Sequence, residues 1–482
     1  MVIGLWTCSF FATGCVQPLG PGFLFSRRQT NIRASAAAPD QLHIRVVDHF
    51  DNVGSLPLRS LEVRLPEGPN FGAQNLSMAA DGREISPQHS STLDPWMMRA
   101  AFDPAWEQQQ PREIVTEWDL NPGPSTRGTV AATAAAFYIA DETALPLWQA
   151  PAGVFTVGGP APVDELLTVS APADFRILAP GRIVKNRNPA SGNQVSQTFH
   201  IKPDVDFLPF VVAGRYEEQI ITVRRGAVSF WTFHPIDAKQ ARTAAARLSS
   251  TMSTFRDFFG PASKDRNFTH IVETPGELPA DFDENNPGGT SIPDGALLDS
   301  RALARGVSSE ATLQLAEYEL ARTWFGWRVR PRPEAQIMMG RGVGLYGLVV
   351  AAEARGQGQR ARMIASLLES YDAARRIAPD RPMLEPLVGY SREERMTTGY
   401  KAALFLIALE DLTGHDKMRA AFREIVAARG NSDVGYEELR SALEFASRRD
   451  LAEMFRTWLV RPGIPEDFRV RYNKPSSARA VN

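Results

Sequence analysis

The stretch Ala316–Trp327, AEYELARTWFGW, decides how the second half of this chain reads. Ala316, Leu320 and Ala321 recur at helical spacing, with Trp324 and Phe325 beyond them, so the segment predicts a helix with one face in a core. Tyr318 and Arg322 stand four apart on a shared face. Glu319 sits three before Arg322, at a spacing that lets a carboxylate and a guanidinium pair. Eighteen residues lie between Arg322 and Arg341, which falls in GRGVGLY at Gly340–Tyr346.

In zinc peptidases with H-E-x-x-H, histidines at i and i+4 place both imidazoles on one helix face, and the intervening glutamate polarises the attacking water. Here the five positions read Tyr318-Glu319-Leu320-Ala321-Arg322. The blocks Y-E-L-A-R-T-W-F-G (Tyr318–Gly326) and G-R-G-V-G-L-Y (Gly340–Tyr346) resemble H-E-L-A-H-x-W-F-G and N-E-G-F-A-x-Y of the membrane alanyl aminopeptidase family, gluzincin zinc metallopeptidases that include the leukotriene hydrolases. The two blocks keep the family's register. TVSAPADFRILAPGR, FLPFVVAGRYEE and ASRRDLAEMFRTWLVRPGIP (Ala446–Pro465) are similar to other family segments, so the likeness covers about residues 42–470. It implies a multidomain α and β chain: an amino-terminal all-β domain, then a mainly α, thermolysin-like gluzincin catalytic-type domain.

The departures fall on the chemistry. The three positions that hold zinc in the family carry Tyr318, Arg322 and Arg341 here, and a protonated guanidinium has no lone pair for a metal. No histidine lies between His270 and His415. The family's zinc is therefore expected to be absent, and no other cofactor is indicated. Glu319 keeps the general-base position, but a carboxylate without a Lewis acid activates water poorly against an amide. It is expected to pair with Arg322 or Arg341, the alternative being that both arginines face solvent; together they form a hypothetical anion site. The substrate-amine loop of the family is weakly matched by Asp283-Glu284-Asn285-Asn286-Pro287, where Glu284 either holds an amine or belongs to a solvated acidic loop. The family's transition-state tyrosine slot is Gly399; Tyr400, displaced by one, is either a cleft residue or a packing one. Trp324 and Phe325 are expected in the core behind the helix.

Upstream, Leu42 to about Val223 reads as short alternating strands punctuated by Pro, Gly, Asn and Asp; from Pro235 onward the period is helical. Between the first two helices, FTHIVET and the GALL region read as strands around a Pro- and Gly-rich loop. The expected organisation is 1–40 export signal and linker, 41–225 β domain, 226–475 peptidase-like domain and 476–482 tail. Val2–Val16 is an uncharged apolar run of signal-core length, and Ala12-Thr13-Gly14-Cys15 resembles a lipobox, so the chain is expected to be exported, with Cys15 a candidate lipid anchor. An ordinary signal, a misassigned start or a short buried segment remain open at that point. Cys8 and Cys15 are the only cysteines, so the residues beyond them contain no disulfide and no thiolate metal site.

With 53 basic and 55 acidic residues and a net charge of −2, no footprint for nucleic acid exists. His43, His49, His89, His200 and His234 fit no ligand motif, and there is no G-x-S-x-G elbow. The expected function is that of a non-catalytic pseudopeptidase whose cleft binds a peptide or protein partner. Two alternatives stay open: an active aminopeptidase or hydrolase with altered metal or mechanism, and a structural partner subunit of an active relative.

Overall fold

The computed structural model describes residues 20–65, 73–90, 97–122, 130–140, 145–157, 162–187, 193–202, 210–261, 268–275, 278, 288–356, 358–385, 390–429 and 433–472. The Val2–Val16 run, Cys15, Glu284 and the 476–482 tail lie outside them. The backbone divides into two compact units, one of residues 1–123, 132–134 and 141–203, the other of 124–131, 135–140 and 204–482.

The first unit is built on a sheet whose strands run Arg182–Arg187, Gln194–Ile201, Asp164–Pro172, Gly22–Ala34, Leu42–Asn52, Pro111–Leu120, Ala73–Ala80 and Arg83–Glu84, with Phe155–Val157 also against Gly22–Ala34. Gly22–Ala34 corrects the expectation of a signal and linker through residue 40. GFLFSRRQTNIRA buries Phe23, Phe25 and Ile32, and it pairs antiparallel with Leu42–Asn52 and parallel with Asp164–Pro172. Phe25 stacks on Phe50 at 4.5 Å between ring centres. A second sheet, Leu147–Gln149, Leu58–Arg64, Met97–Trp106 and Gln88–His89, contributes Leu61, Val63, Trp106 and Trp148 to the same core. This is alternation of period two, with one face of each sheet turned inward.

That core contains charge. Arg28 donates to both oxygens of Asp48, at 2.7 and 2.9 Å, and to Pro146 O at 2.7 Å; Trp148 Nε1 donates to Asp48 Oδ2 at 2.6 Å. A buried carboxylate survives only with such partners. Nearby Glu165, also buried, accepts from Thr30 Oγ1 at 3.4 Å. Burial, opposed by the Arg28 charge and reinforced by Asp48, pushes its carboxyl up to about 7.

The second unit has a five-stranded sheet in the order Glu217–Val223, Gly226–Thr232, Phe268–Thr274, Gly295–Asp299, Gly289–Ile292, parallel at its centre and antiparallel at both edges. The hairpin of the first two strands spans the boundary expected at residue 225, because Ile221 and Val228 pair directly. The helices are α1 (Ala238–Phe259), α2 (Ser300–Ala304), α3 (Glu310–Arg322), α4 (Val343–Ala354), α5 (Gln359–Ile377), α6 (Arg392–Thr413), α7 (His415–Arg429), α8 (Tyr436–Ser447), α9 (Ala452–Val460) and α10 (Glu466–Tyr472). Asp237 caps α1, Ser309 caps α3, and Ser391 with Glu394 forms a capping box on α6. The run GYEELRSALEFASRRDLAEMFRTWLV keeps helical spacing throughout, yet it forms two helices, α8 and α9. Arg448 adopts φ 58° and ends α8, and its amide bonds Glu444 O. Likewise TVAATAAAFYIA holds two short strands, Val130–Ala132 and Ala136–Ile139.

Two devices fix α3. Glu317, fully buried, accepts from Arg247 Nε and Nη2 at 2.9 Å, from Arg355 Nη1 at 2.8 Å and from Thr251 Oγ1 at 2.8 Å, which ties α1, α3 and the end of α4 together. Gly347 of α4 then meets Ala321 so closely that a Cβ there would stand 2.3 Å from the alanine methyl.

The raised carboxyl of Glu165 makes stability depend on pH. From its ordinary value of 4.5 up to about 7 the folded chain holds a proton that the unfolded chain has released, so stability falls as pH rises through this window. Denaturant unfolding at pH 5 and pH 8 is expected to show that loss in the parent chain, and a shallower loss in Glu165→Gln. Equal pH dependence in both proteins would refute the assignment.

Candidate functional site

On α3, Tyr318 is 1% and Glu319 0% exposed, whereas the Arg322 side chain keeps 24%. Arg322 Nη1 donates to Glu319 Oε2 at 2.8 Å, the pair allowed by the three-residue spacing. The Arg322 guanidinium carbon also lies 5.4 Å from the centre of the Tyr318 ring, within cation–π range. A buried carboxylate is thus matched by a fixed cation that reaches it from the partly exposed side.

Two glycines, which sequence reasoning did not single out, shape the surroundings. A Cβ on Gly289, in the edge strand Gly289–Ile292, would stand 3.0 Å from Glu319 Cγ and 3.3 Å from its Oε1. A Cβ on Gly344 of α4 would stand 2.5 Å from Tyr318 Cε2 and 3.0 Å from Arg322 Cγ. The tyrosine ring therefore occupies space that only a residue without a side chain leaves at 344. Beyond α3, Thr323 Oγ1 donates to Ile292 O at 3.2 Å, Trp327 Nε1 to Ser291 O at 2.9 Å and Trp324 Nε1 to Gly260 O at 3.0 Å. Trp324 and Phe325 are core residues, 0% and 1% exposed.

Arg341 belongs to a π-helical turn, Ile337–Gly342, that runs directly into α4. Such turns carry one extra residue in the ring and recur at functional sites. Its side chain lies over α6, where a Cβ on Gly399 would be 3.2 Å from Arg341 Cβ and 3.3 Å from Cδ. Gly342 approaches Ala402 closely as well, at 2.8 Å from a virtual Cβ to the methyl. Gly344 is three residues after Arg341, so Arg341 is about one helical turn from the point where α4 touches Tyr318 and Arg322. The structure joins Glu319 to Arg322, sets Tyr318 beneath Arg322 and places Arg341 against Gly399. Tyr400, next to Gly399 on α6, is buried at 6% exposure. Its neighbour Lys401 is wholly buried and bonds Asp380 Oδ2 at 3.1 Å and Arg461 O at 2.5 Å, a structural tie to the chain after α9.

The fit between Tyr318 and Gly344 gives a testable coupling. Gly344→Ala alone is expected to cost about 1–3 kcal/mol through overpacking. In a thermodynamic cycle with Tyr318→His, which shortens the side chain, the double variant is expected to lose less than the sum of the singles, because the pair is in contact. Additive losses in denaturant unfolding would refute the contact's importance.

No protein-family model matches this chain, and no curated protein matches it in sequence. Solved structures do. A crystal structure of an M1 zinc metallopeptidase from Deinococcus radiodurans superposes with a TM-score of 0.64 at 15% identity, over 93% of this chain and 96% of that one. A glutamate-to-alanine mutant of an M1 zinc metallopeptidase from that organism, bound to a Tyr-Ser-Ala substrate, gives 0.62 at 15% identity with the same coverage. A two-domain M1 zinc metallopeptidase mutant bound to L-arginine gives 0.63 at 14% identity, again over 93% and 96%. A β-rich amino-terminal domain followed by a helical region is the two-domain fold of the M1 metallopeptidases, and the chain has that fold along nearly its whole length.

Proposed function

We infer that this chain is a non-catalytic, aminopeptidase-like protein that uses the M1 frame to bind a peptide or protein partner. One observation carries the reading: the carboxylate of Glu319 is bonded to Arg322 at 2.8 Å, and Arg322 stands where the resembled family has a zinc-ligating histidine. Zinc does not fit these side chains. Arg322 and Arg341 offer no lone pair, and the phenol of Tyr318, buried beside a guanidinium, is a poor substitute for imidazole. A guanidinium supplies positive charge to Glu319 but has no open coordination position to polarise a carbonyl or lower the pKa of water. Glu319 therefore serves to hold Arg322 in place.

A second feature supports the reading. The family block N-E-G-F-A-x-Y has alanine where this chain has Gly344, and the ring of Tyr318 fills the room thus made. Replacement of the ligand and relief of crowding match each other, as in a frame kept under packing constraint after metal was dispensed with.

Solved neighbours bind a Tyr-Ser-Ala substrate and free L-arginine, ligands that end in a carboxylate. Arg322 and Arg341 would favour a carboxylate or another anion in the corresponding region here. The occupant proposed is a peptide or a peptide-like segment of a partner protein, including an active relative for which this chain would be a partner subunit. Nucleic acid is not proposed. Export, with Cys15 as a lipid anchor, is proposed from the amino-terminal sequence alone.

The test combines assay and variant. Purified protein supplied with zinc is expected to show no aminopeptidase turnover on aminoacyl and tripeptide substrates, and Glu319→Gln is expected to leave that result unchanged. Turnover that Glu319→Gln abolishes would overturn the reading. Binding of a tripeptide with a free carboxylate is expected to weaken at least tenfold in Arg341→Ala, which is about 1.4 kcal/mol; equal affinity would remove Arg341 from the site.

A further inference from the structure

We propose a divalent transition-metal site at the end of α4 remote from Arg341, formed by His415, Glu410 and Glu353. One donor atom from each of the three lies within 4.8 Å of the others. His415 Nδ1 stands 2.7 Å from Glu410 Oε1 and 3.6 Å from Glu353 Oε2. Ligands of a tetrahedral zinc stand roughly 3.4 Å apart when the bonds are near 2.0–2.1 Å, so these two separations bracket the required one. The donor set, one imidazole nitrogen and two carboxylates, is that of a borderline cation such as Zn²⁺ or Co²⁺ and not of calcium.

Four helix ends meet around the cluster. Glu353 is in the last turn of α4 and Glu410 in the last turn of α6, so two helix ends of negative partial charge converge there. His415 opens α7 and Arg360 stands in the first turn of α5, so two positive helix ends lie beside the cluster as well. Arg360 holds both carboxylates, with Nη1 3.1 Å from Glu353 Oε2 and Nη2 2.7 Å from Glu410 Oε2. It engages Glu410 through the oxygen that His415 does not use, and Glu353 through Oε2, the oxygen nearest His415, which leaves Oε1 of both carboxylates for a metal. Asp411 lies 3.8 Å from Arg360 and is also paired with Arg471 at 3.0 Å. Phe258 packs against the imidazole with ring centres 5.1 Å apart and restrains its orientation.

Access is open on one side. Glu410 is buried, whereas the side chains of His415 and Glu353 are 41% and 43% exposed. Both line a cavity of about 560 Å³ with Arg225, Ser253, Thr254 and Asp257 on its walls. A metal on three protein atoms would keep its remaining position toward this polar space, for water or for an oxygen ligand. The site is separate from Tyr318, Glu319, Arg322 and Arg341, and it does not depend on their role.

The experiment is zinc titration by calorimetry of the chelator-stripped full chain, with Co²⁺ absorption as an optical readout. One zinc per chain is expected, with affinity reduced at least tenfold in Glu353→Gln and in His415→Asn, both exposed enough to change without loss of fold. Unaltered thermal unfolding of the metal-free variants checks that point. Glu319→Gln is expected to bind zinc as the parent does. No zinc binding, or binding untouched by both variants, would overturn the site. Zinc binding lost in Glu319→Gln but kept in His415→Asn would overturn it and would also place metal at α3, against the non-catalytic reading; zinc lost only in the cluster variants leaves that reading intact.

Discussion

The approach of α4 to α3 governs the second unit. At Gly347 the two helices come so near that a side chain would collide with Ala321, and one turn earlier Gly344 lies under the ring of Tyr318. Separation this small leaves no play in where the residues of α3 point. The Glu317 clamp secures the same geometry from the other side by joining Arg247 of α1 and Arg355 after α4 to one buried carboxylate. Breaking such a pair by removing one partner costs about 3–5 kcal/mol, because the remaining charge stays buried.

Within that frame, a guanidinium satisfies the buried carboxylate of Glu319. Zinc and guanidinium both satisfy a nearby carboxylate. The metal offers vacant orbitals to a substrate oxygen, whereas Arg322 offers only donated hydrogen bonds in a fixed plane. The π-helical turn at Ile337–Gly342 belongs to the same account, since it sets Arg341 over Gly399 and carries α4 onward to Gly344. Buried ion pairs also organise the first unit, where Arg28, Asp48 and Glu165 form a group inside a β core. Each unit therefore has its own interior electrostatics.

Much of the fold was legible from periodicity. Alternating strands before residue 223 and helical repeats after 235 are patterns that burial imposes locally, and the resemblance of two short blocks carried the architecture further. The strand Gly22–Ala34 escaped because the apolar run before it drew the reading toward export, although Phe23, Phe25 and Ile32 hold inward positions. The break at Arg448 escaped because a left-handed residue other than glycine leaves no mark in sequence. The Glu319–Arg322 pair was legible since both partners sit on one helix, where spacing alone fixes proximity.

By itself the sequence determined which side chains could not hold zinc, because that is a property of arginine and not of its position. It also determined the change from strands to helices near residue 235, through the period of apolar residues. Tertiary structure alone decided that Tyr318 rests on Gly344, that Glu317 gathers two arginines, and that His415, Glu410 and Glu353 share one corner. Those contacts join α3 to α4, α1 to α3, and the ends of α4 and α6 to the start of α7. Residues distant in the chain meet only when helix packing sets crossing points and separations, and no local pattern encodes those.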